Sequence, residues 1–202
     1  MQPEAITEAR RRYYGQMTHL DYQLGRLFGS LQTHKIYQET AIAFTSDHGE
    51  CLGDHGVFAK HSFLESAARV PYILRLPNSL REQYPIQDAE TPVLTADLCP
   101  TLLQLAGLQA DASAEGQSLL EPSGREYIFG ETPESAMVLG KGYKYIYYTT
   151  GDTEHLFHID QDSNDQCNLA GQAEHAEIQS TLKNRLIAYL NKNESPMVND
   201  GA

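Results

Sequence analysis

Residues 40–60, TAIAFTSDHGECLGDHGVFAK, decide how the chain is read. Thr40 to Thr45 is a short apolar run without strict alternation, the pattern of a strand covered on both faces. Gly49, Gly53 and Gly56 then punctuate a loop that gathers Asp47, His48, Glu50, Asp54, His55 and Lys60. Open α/β sheets bind ligands beyond the carboxyl ends of their strands, so any chemistry starts at Asp47.

Upstream, residues 3–33 carry apolar side chains at three- and four-residue spacings (Tyr13, Met17, Leu20, Leu24, Leu27, Phe28, Leu31), which predicts a long amphipathic helix. Tyr14 and Asp21 read as boundary or solvated positions. Helix followed at once by strand is half of an α/β repeat. Downstream, Ser62 to Ala68 predicts one or two helical turns, and Tyr72 to Leu76 a second apolar strand closed by Pro77. Residues 78–92, with Pro85 and Pro92, read as a loop. A short helix then begins at Asp97, buries Leu98, Leu102, Leu105 and Ala106, and ends at Gly107.

The small, polar run at 109–125 suggests a linker or surface crossing between residues 1–108 and 126–202. Beyond it EYIFGE, AMVLG, YKYIYYTT and HLFHI are separated by turn signals, including Gly140-Lys141-Gly142, and predict a small four-stranded antiparallel sheet. In the third of these, Tyr143, Tyr145 and Tyr147 share one face and Lys144, Ile146 and Tyr148 the other. An amphipathic helix at about 174–192 should cover the sheet through Ile178, Leu182, Leu186 and Tyr189, with a frayed tail after Asn193. No internal repeat is present.

At 202 residues, 41% apolar and 21% charged, the chain has the composition of a globular protein. No apolar run is long enough to cross a bilayer, and the first residues are no signal peptide. The net charge of −12 argues against nucleic-acid or anionic-membrane surfaces, though a bound cation and one lysine can reverse the field locally for a small anion. Cys51, Cys99 and Cys167 cannot all pair within the chain, which favours a reducing compartment such as the cytoplasm.

Asp47 and His48 can share one cation if the chain turns sharply at Gly49, carboxylate and imidazole together suiting a divalent metal of intermediate hardness. The alternative is that Asp47 caps the following turn while His48 hydrogen-bonds locally. Two protein ligands are too few for a tight site, so others must come from elsewhere. Lys60 can hold a tetrahedral anion as a point charge, or be an ordinary solvated lysine. His55 and His61 can contact substrate or shuttle a proton, although loop histidines are more often inert. A zinc cluster of Cys51 with His48 and His55 has no familiar spacing. Glu65 and Arg69, four apart, read as a structural tether.

The strand and loop AFTSDHGECLGDHGVFAK, followed by ESAARVPYILRLP, resembles the C-terminal part of the type I sulfatases in the alkaline phosphatase superfamily. The likeness runs from YYGQMTHLDYQLGRLFGSL through TADLCPTLLQLAGL to LFHIDQDSNDQCNLA, almost the whole chain. It implies the C-terminal part of an alkaline-phosphatase-like α/β/α sheet over residues 1–108, followed by the small antiparallel subdomain with its helix. It implies sulfate-ester hydrolysis, with Asp47 and His48 as metal ligands and Lys60 as the catalytic contact to the sulfate. His55 is left as a possible substrate contact. The metal expected by resemblance is Ca2+, with Mn2+ and Mg2+ as alternatives.

The family nucleophile is a formylglycine made from the Cys or Ser of a Cys/Ser-x-Pro-x-Arg motif. None of the nine prolines here has Cys or Ser two residues before it, and no paired aspartates occur. The expectation is therefore a fragment whose nucleophile and remaining metal ligands lie in an N-terminal sulfatase portion, inactive alone and prone to self-association through exposed strand edges. A phosphonate or phosphate-ester hydrolase on the same scaffold is the alternative enzyme, and a non-catalytic interaction module the alternative of another class.

Overall fold

Pro3 in the first turn and the periodic stripe behind it start a helix, α1 (Pro3–Thr33), in the computed structural model, which describes residues 2–84, 91–111, 113–122 and 124–198. Contacts divide the chain into two compact units, Met1–Ala59 with Val70–Ser123, and Lys60–Arg69 with Gly124–Ala202.

In the first unit, β1 (Ile42–Thr45) pairs antiparallel with β2 (Tyr72–Arg75), from Ile42 opposite Arg75 to Thr45 opposite Tyr72. Every residue of β1 is half-buried, and Ile73 of β2 is exposed, so the apolar run is not enclosed on both faces here. The stripe of α1 likewise contains no fully buried residue. Arg75 anchors the entrance to the strand pair: its guanidinium donates to Tyr37 O and Thr40 O, both at 2.9 Å, and stacks over the Tyr37 ring. A short helix, α3 (Leu98–Leu105), follows, and Gly107 ends it in a left-handed conformation. Asp97, fully buried at its start, accepts the Leu94 and Gln117 N–H groups, one on each oxygen and both at 2.8 Å. Burial, and then the Asp97 charge, push the Tyr72 hydroxyl above its ordinary pKa. Of the expected 78–92 loop, residues 85–90, Pro85 among them, lie outside the described residues.

The second unit begins with a single helical turn, α2 (Glu65–Ala68), and continues in a meander. Strands β3 (Ile128–Thr132), β4 (Ser135–Gly140), β5 (Tyr143–Tyr148) and β6 (Thr153–His158) lie antiparallel in chain order. Lys141 and Gly142 both have positive φ, as a two-residue type I′ hairpin requires. Alternation then sorts the side chains. Ala136, Val138, Tyr145 and Leu156 face α4 (Ala176–Lys192), where Leu182, Leu186 and Leu190 complete the core. The tail differs from expectation. Pro196–Val198 forms a further turn; Met197 within it and Ser195 just before it are buried, with Ser195 Oγ donating to Glu131 Oε1.

Polar groups edge the α4 face. Burial works to raise the Glu154 carboxyl, but hydrogen bonds from Lys183 (2.7 Å) and Gln179 (2.6 Å) outweigh it and hold the group below its ordinary pKa. Burial, and then the Glu154 charge, push the Tyr145 hydroxyl far up.

The opposite face of the sheet is covered by the segment after Lys60. Phe63 lies where a Cβ on Gly130 would project, 2.6 Å from its ring, and Leu64 and Ala67 are buried. Lys144, on this face, is fully buried: its Nζ donates to Glu65 Oε1 and Asp165 Oδ2, both at 2.7 Å.

Candidate functional site

The chain leaves β1 at Thr45 and tightens at once. Ser46 Oγ donates to His48 O at 2.7 Å, and Asp47 Oδ1 accepts the His48 N–H at 3.0 Å. The second interaction is the local bond that the capping alternative calls for. The other carboxylate oxygen, Oδ2, lies 3.4 Å from His48 Nε2. His48 Nδ1 lies 2.8 Å from Gly49 O, a distance that makes Nδ1–H the donor and puts the lone pair of the neutral ring on Nε2. A carboxylate oxygen and an imidazole nitrogen thus sit side by side, with the Gly49 carbonyl accepting from the other ring nitrogen as an outer partner of a metal-bound histidine does. Asp47 is largely exposed and His48 about one-third exposed.

The loop beyond is held in a backbone that side chains disfavour. Leu52, His55 and Ala59 all have positive φ, as do Gly53 and Gly56. Such residues persist only where the surroundings over-determine them. Here Glu50 Oε1 accepts the Leu52 N–H at 3.2 Å and the Ala59 N–H at 2.6 Å, and Cys51 N–H donates to Ala59 O. From α1, Arg10 Nε donates to Leu52 O at 2.9 Å and its Nη2 pairs with Asp54 Oδ1 at 2.7 Å. Gly53 is required twice over, by φ +90° and by Ile6, whose Cγ2 would lie 3.0 Å from any Cβ.

His55 is exposed at the tip of this loop, and Cys51 is fully buried at its base. Among the described residues no group of three or more His, Cys, Asp or Glu side chains is placed to hold a metal ion, so Asp47 and His48 make two donors and Cys51 adds no cluster. Asp47, His48 and His55 belong to the first unit. Lys60, exposed, opens the inserted segment of the second, with His61 exposed beside it.

A profile of the sulfatase family matches residues 1–108. The chain belongs to the sulfatase family. An arylsulfatase of Clostridium perfringens is 30% identical over 201 residues, which cover 95% of this chain and 42% of that protein. A choline-sulfatase of Rhizobium meliloti is 30% identical over 192 residues, 89% of this chain and 36% of that one. Among solved structures, a phosphonate monoester hydrolase from Silicibacter pomeroyi superposes with a TM-score of 0.78 at 25% identity, covering 96% of this chain and 43% of that one. This sulfatase chain therefore spans about two-fifths of the length of the relatives it matches. Its α/β fold with the small antiparallel sheet and C-terminal helix is that of alkaline-phosphatase-like sulfatase structures. No helix is long and apolar enough to cross a membrane among the described residues.

Two residues that hold the sulfatase loop, Arg10 and Glu50, escape the motif reading, as does Lys144 within the second unit. Arg10 carries no local signal, since its partners are more than forty positions away. Glu50 stands inside the motif, but its role rests on two backbone N–H groups. Lys144 likewise has partners 79 and 21 positions away.

Proposed function

We propose that this chain carries part of the active site of a sulfate-ester hydrolase. The observation that carries the proposal is the Asp47–His48 pair: an oxygen and an imidazole nitrogen 3.4 Å apart, in a tautomer suited to ligation, inside the family-matched SDHG sequence. The donor set fits two positions of a divalent cation, Ca2+ by resemblance with Mn2+ and Mg2+ as alternatives, and other ligands come from outside this chain. When bound, such a cation supplies Lewis-acid polarisation of the sulfuryl oxygens.

The chain's own residues do the rest of what can be assigned. Asp47 presents Oδ2 and His48 Nε2, while Gly49 O keeps the proton on Nδ1. Lys60 supplies a compact positive charge and N–H donors to the sulfuryl group and its bridging oxygen, where negative charge grows as the ester bond breaks. His55, exposed on the same loop, is a candidate substrate contact. The nucleophile, a formylglycine by resemblance, is supplied from outside these residues, because no proline here has the required Cys or Ser two positions before it.

The expected result is no aryl-sulfate hydrolysis by the purified chain above a heat-killed control. Activity should appear when a polypeptide bearing the formylglycine motif is supplied, and be lost again with His48→Ala or Lys60→Met. Metal-dependent turnover by the pure chain would overturn the placement of the nucleophile. The likeness to a phosphonate monoester hydrolase supports a second reading, hydrolysis of phosphonate or phosphate esters on the same site. Turnover of an aryl sulfate against a phosphonate monoester by the supplemented chain separates the two. A chain that gains no activity and takes up neither Ca2+ nor Mn2+ is an interaction module instead.

A further inference from the structure

Arg69, Glu65, Lys144 and Asp165 form one line of alternating charge. Arg69 Nη1 lies 3.7 Å from Glu65 Oε2, Glu65 Oε1 lies 2.7 Å from Lys144 Nζ, and Lys144 Nζ lies 2.7 Å from Asp165 Oδ2. The same Asp165 oxygen accepts the Glu65 N–H at 2.6 Å. Side-chain exposure falls along the line from 73% at Arg69 through 17% and 2% to 0% at Asp165. The buried part is one cation between two anions, with the exposed Arg69 guanidinium beside the outer carboxylate. Apolar residues fill such a space at least as stably. What an ionic set adds is one permitted arrangement of the parts that carry it.

Those parts are two strands of chain far apart in sequence. Asp165, itself held at φ +53°, follows the last strand of the sheet, and Lys144 stands on β5. Glu65 begins the turn that follows Lys60. Between Lys60 and Glu65 the chain has no slack: Ser62 N–H donates to Lys60 O at 2.8 Å, and Ser62 Oγ accepts the Leu64 N–H at 3.0 Å and lies 3.4 Å from Tyr148 Oη. Phe63 fills the space that Gly130 leaves, and Leu64 is buried.

We infer that Lys144, with Glu65 and Asp165, is a positioning set for Lys60. It clamps residues 60–69 to the C-terminal sheet and so fixes the backbone from which the Lys60 ammonium projects. None of the three touches substrate; they act through the segment. The inference rests on the proposed role of Lys60 toward a tetrahedral anion, and its test keeps the two apart.

Lys144→Met removes the shared cation, and Glu65→Gln, a milder change that keeps an acceptor, provides a second variant should the first fold poorly. Lys183→Met, on the α4 face, is the comparator. Hydrogen exchange of the full chain reads the clamp directly. Amides of 60–69 should exchange faster by about a hundredfold in Lys144→Met, while those of β3–β6 change far less. Lys183→Met should leave 60–69 as in the wild type. In parallel, lysines are reductively methylated with 13C-formaldehyde, the Lys60 signal is assigned by its absence in Lys60→Arg, and inorganic sulfate is titrated. The wild-type Lys60 signal should shift with sulfate, and that shift should weaken in both clamp variants. Unchanged exchange at 60–69 in both variants would overturn the inference, as would exchange that rises equally across segment and sheet. Local loosening with a wild-type Lys60 signal indifferent to sulfate would support the clamp and overturn the anion role of Lys60.

Discussion

Replacing Lys144 and Lys183 by methionine, one at a time, keeps each side-chain stem and removes only the charge. Both ammonium groups lie 2.7 Å from their carboxylates, within the same unit and on opposite faces of one sheet. Distance alone would make the two changes equal. Surroundings do not: the Lys144 side chain is 2% exposed and that of Lys183 46%. Lys144→Met strands two carboxylates, one of them the fully buried Asp165, whose Oδ1 has no hydrogen-bond partner among the described residues. Removing one member of a buried ionic set costs about 3–5 kcal/mol, because the ions left behind cannot recover their hydration. Lys183→Met exposes Glu154 to water that already reaches it, and a part-exposed pair contributes about 0.5–1 kcal/mol. Urea unfolding followed by tyrosine fluorescence measures both, since the chain has no tryptophan and β5 carries Tyr143, Tyr145, Tyr147 and Tyr148. Repeating the series at high salt adds a second discriminant. The screening length falls from about 10 Å at 0.1 M to about 3 Å at 1 M, so the Lys183 effect should shrink while that of Lys144 persists. A Lys144→Met cost no larger than that of Lys183→Met, or one that salt abolishes, would refute the reasoning from burial.

The pH dependence of the Lys183 contribution follows from its sign. Glu154 titrates below its ordinary value in the folded chain, so its stabilisation is complete above the unfolded pKa and is lost as pH falls through the folded one. The hydrogen bond to Glu154 raises Lys183, partly against burial, so that stabilisation is complete below the unfolded pKa and is lost as pH rises through the folded one. The stability gap between wild type and Lys183→Met, from urea midpoints, should be widest between about pH 5 and about pH 10 and close at both ends; a gap that stays flat would contradict it. In the first unit, a Cβ at Gly116 would overlap Ala96 O, a backbone atom that cannot retreat without disturbing the Asp97 hydrogen bonds. Gly116→Ala should therefore lower stability by about 1–3 kcal/mol in thermal or urea unfolding, and a neutral result would mean that the 113–118 turn shifts freely.

Much of the fold is legible in the chain because it is local. The stripe from Tyr13 to Leu31 sets α1, and turn residues with two-fold alternation set the meander from Ile128 to His158, Lys141-Gly142 included. Enclosure is a different matter: the apolar run of β1 says what a strand would bury, and only partners decide whether it does. The tail is the converse case, since Ser195 and Met197 look dispensable until Glu131 and the α4 core are placed beside them. At the candidate site, the resemblance to the family singles out Asp47, His48 and Lys60. It cannot show that Leu52, His55 and Ala59 take left-handed backbone, because none is the glycine that would announce it. Lys144 shows the limit most clearly. Its partners are 79 and 21 positions away, and an isolated lysine in a strand reads as solvated.

Those separations bear on how the chain is made. Glu65 leaves the ribosome 79 residues before Lys144 and 100 before Asp165. At about 5–20 residues per second, the nascent chain carries Glu65 and Lys60 for about 5–20 s before the last anchor exists. The tether on the segment after Lys60 is thus closed from downstream, and synthesis must pass Asp165 before its last partner exists.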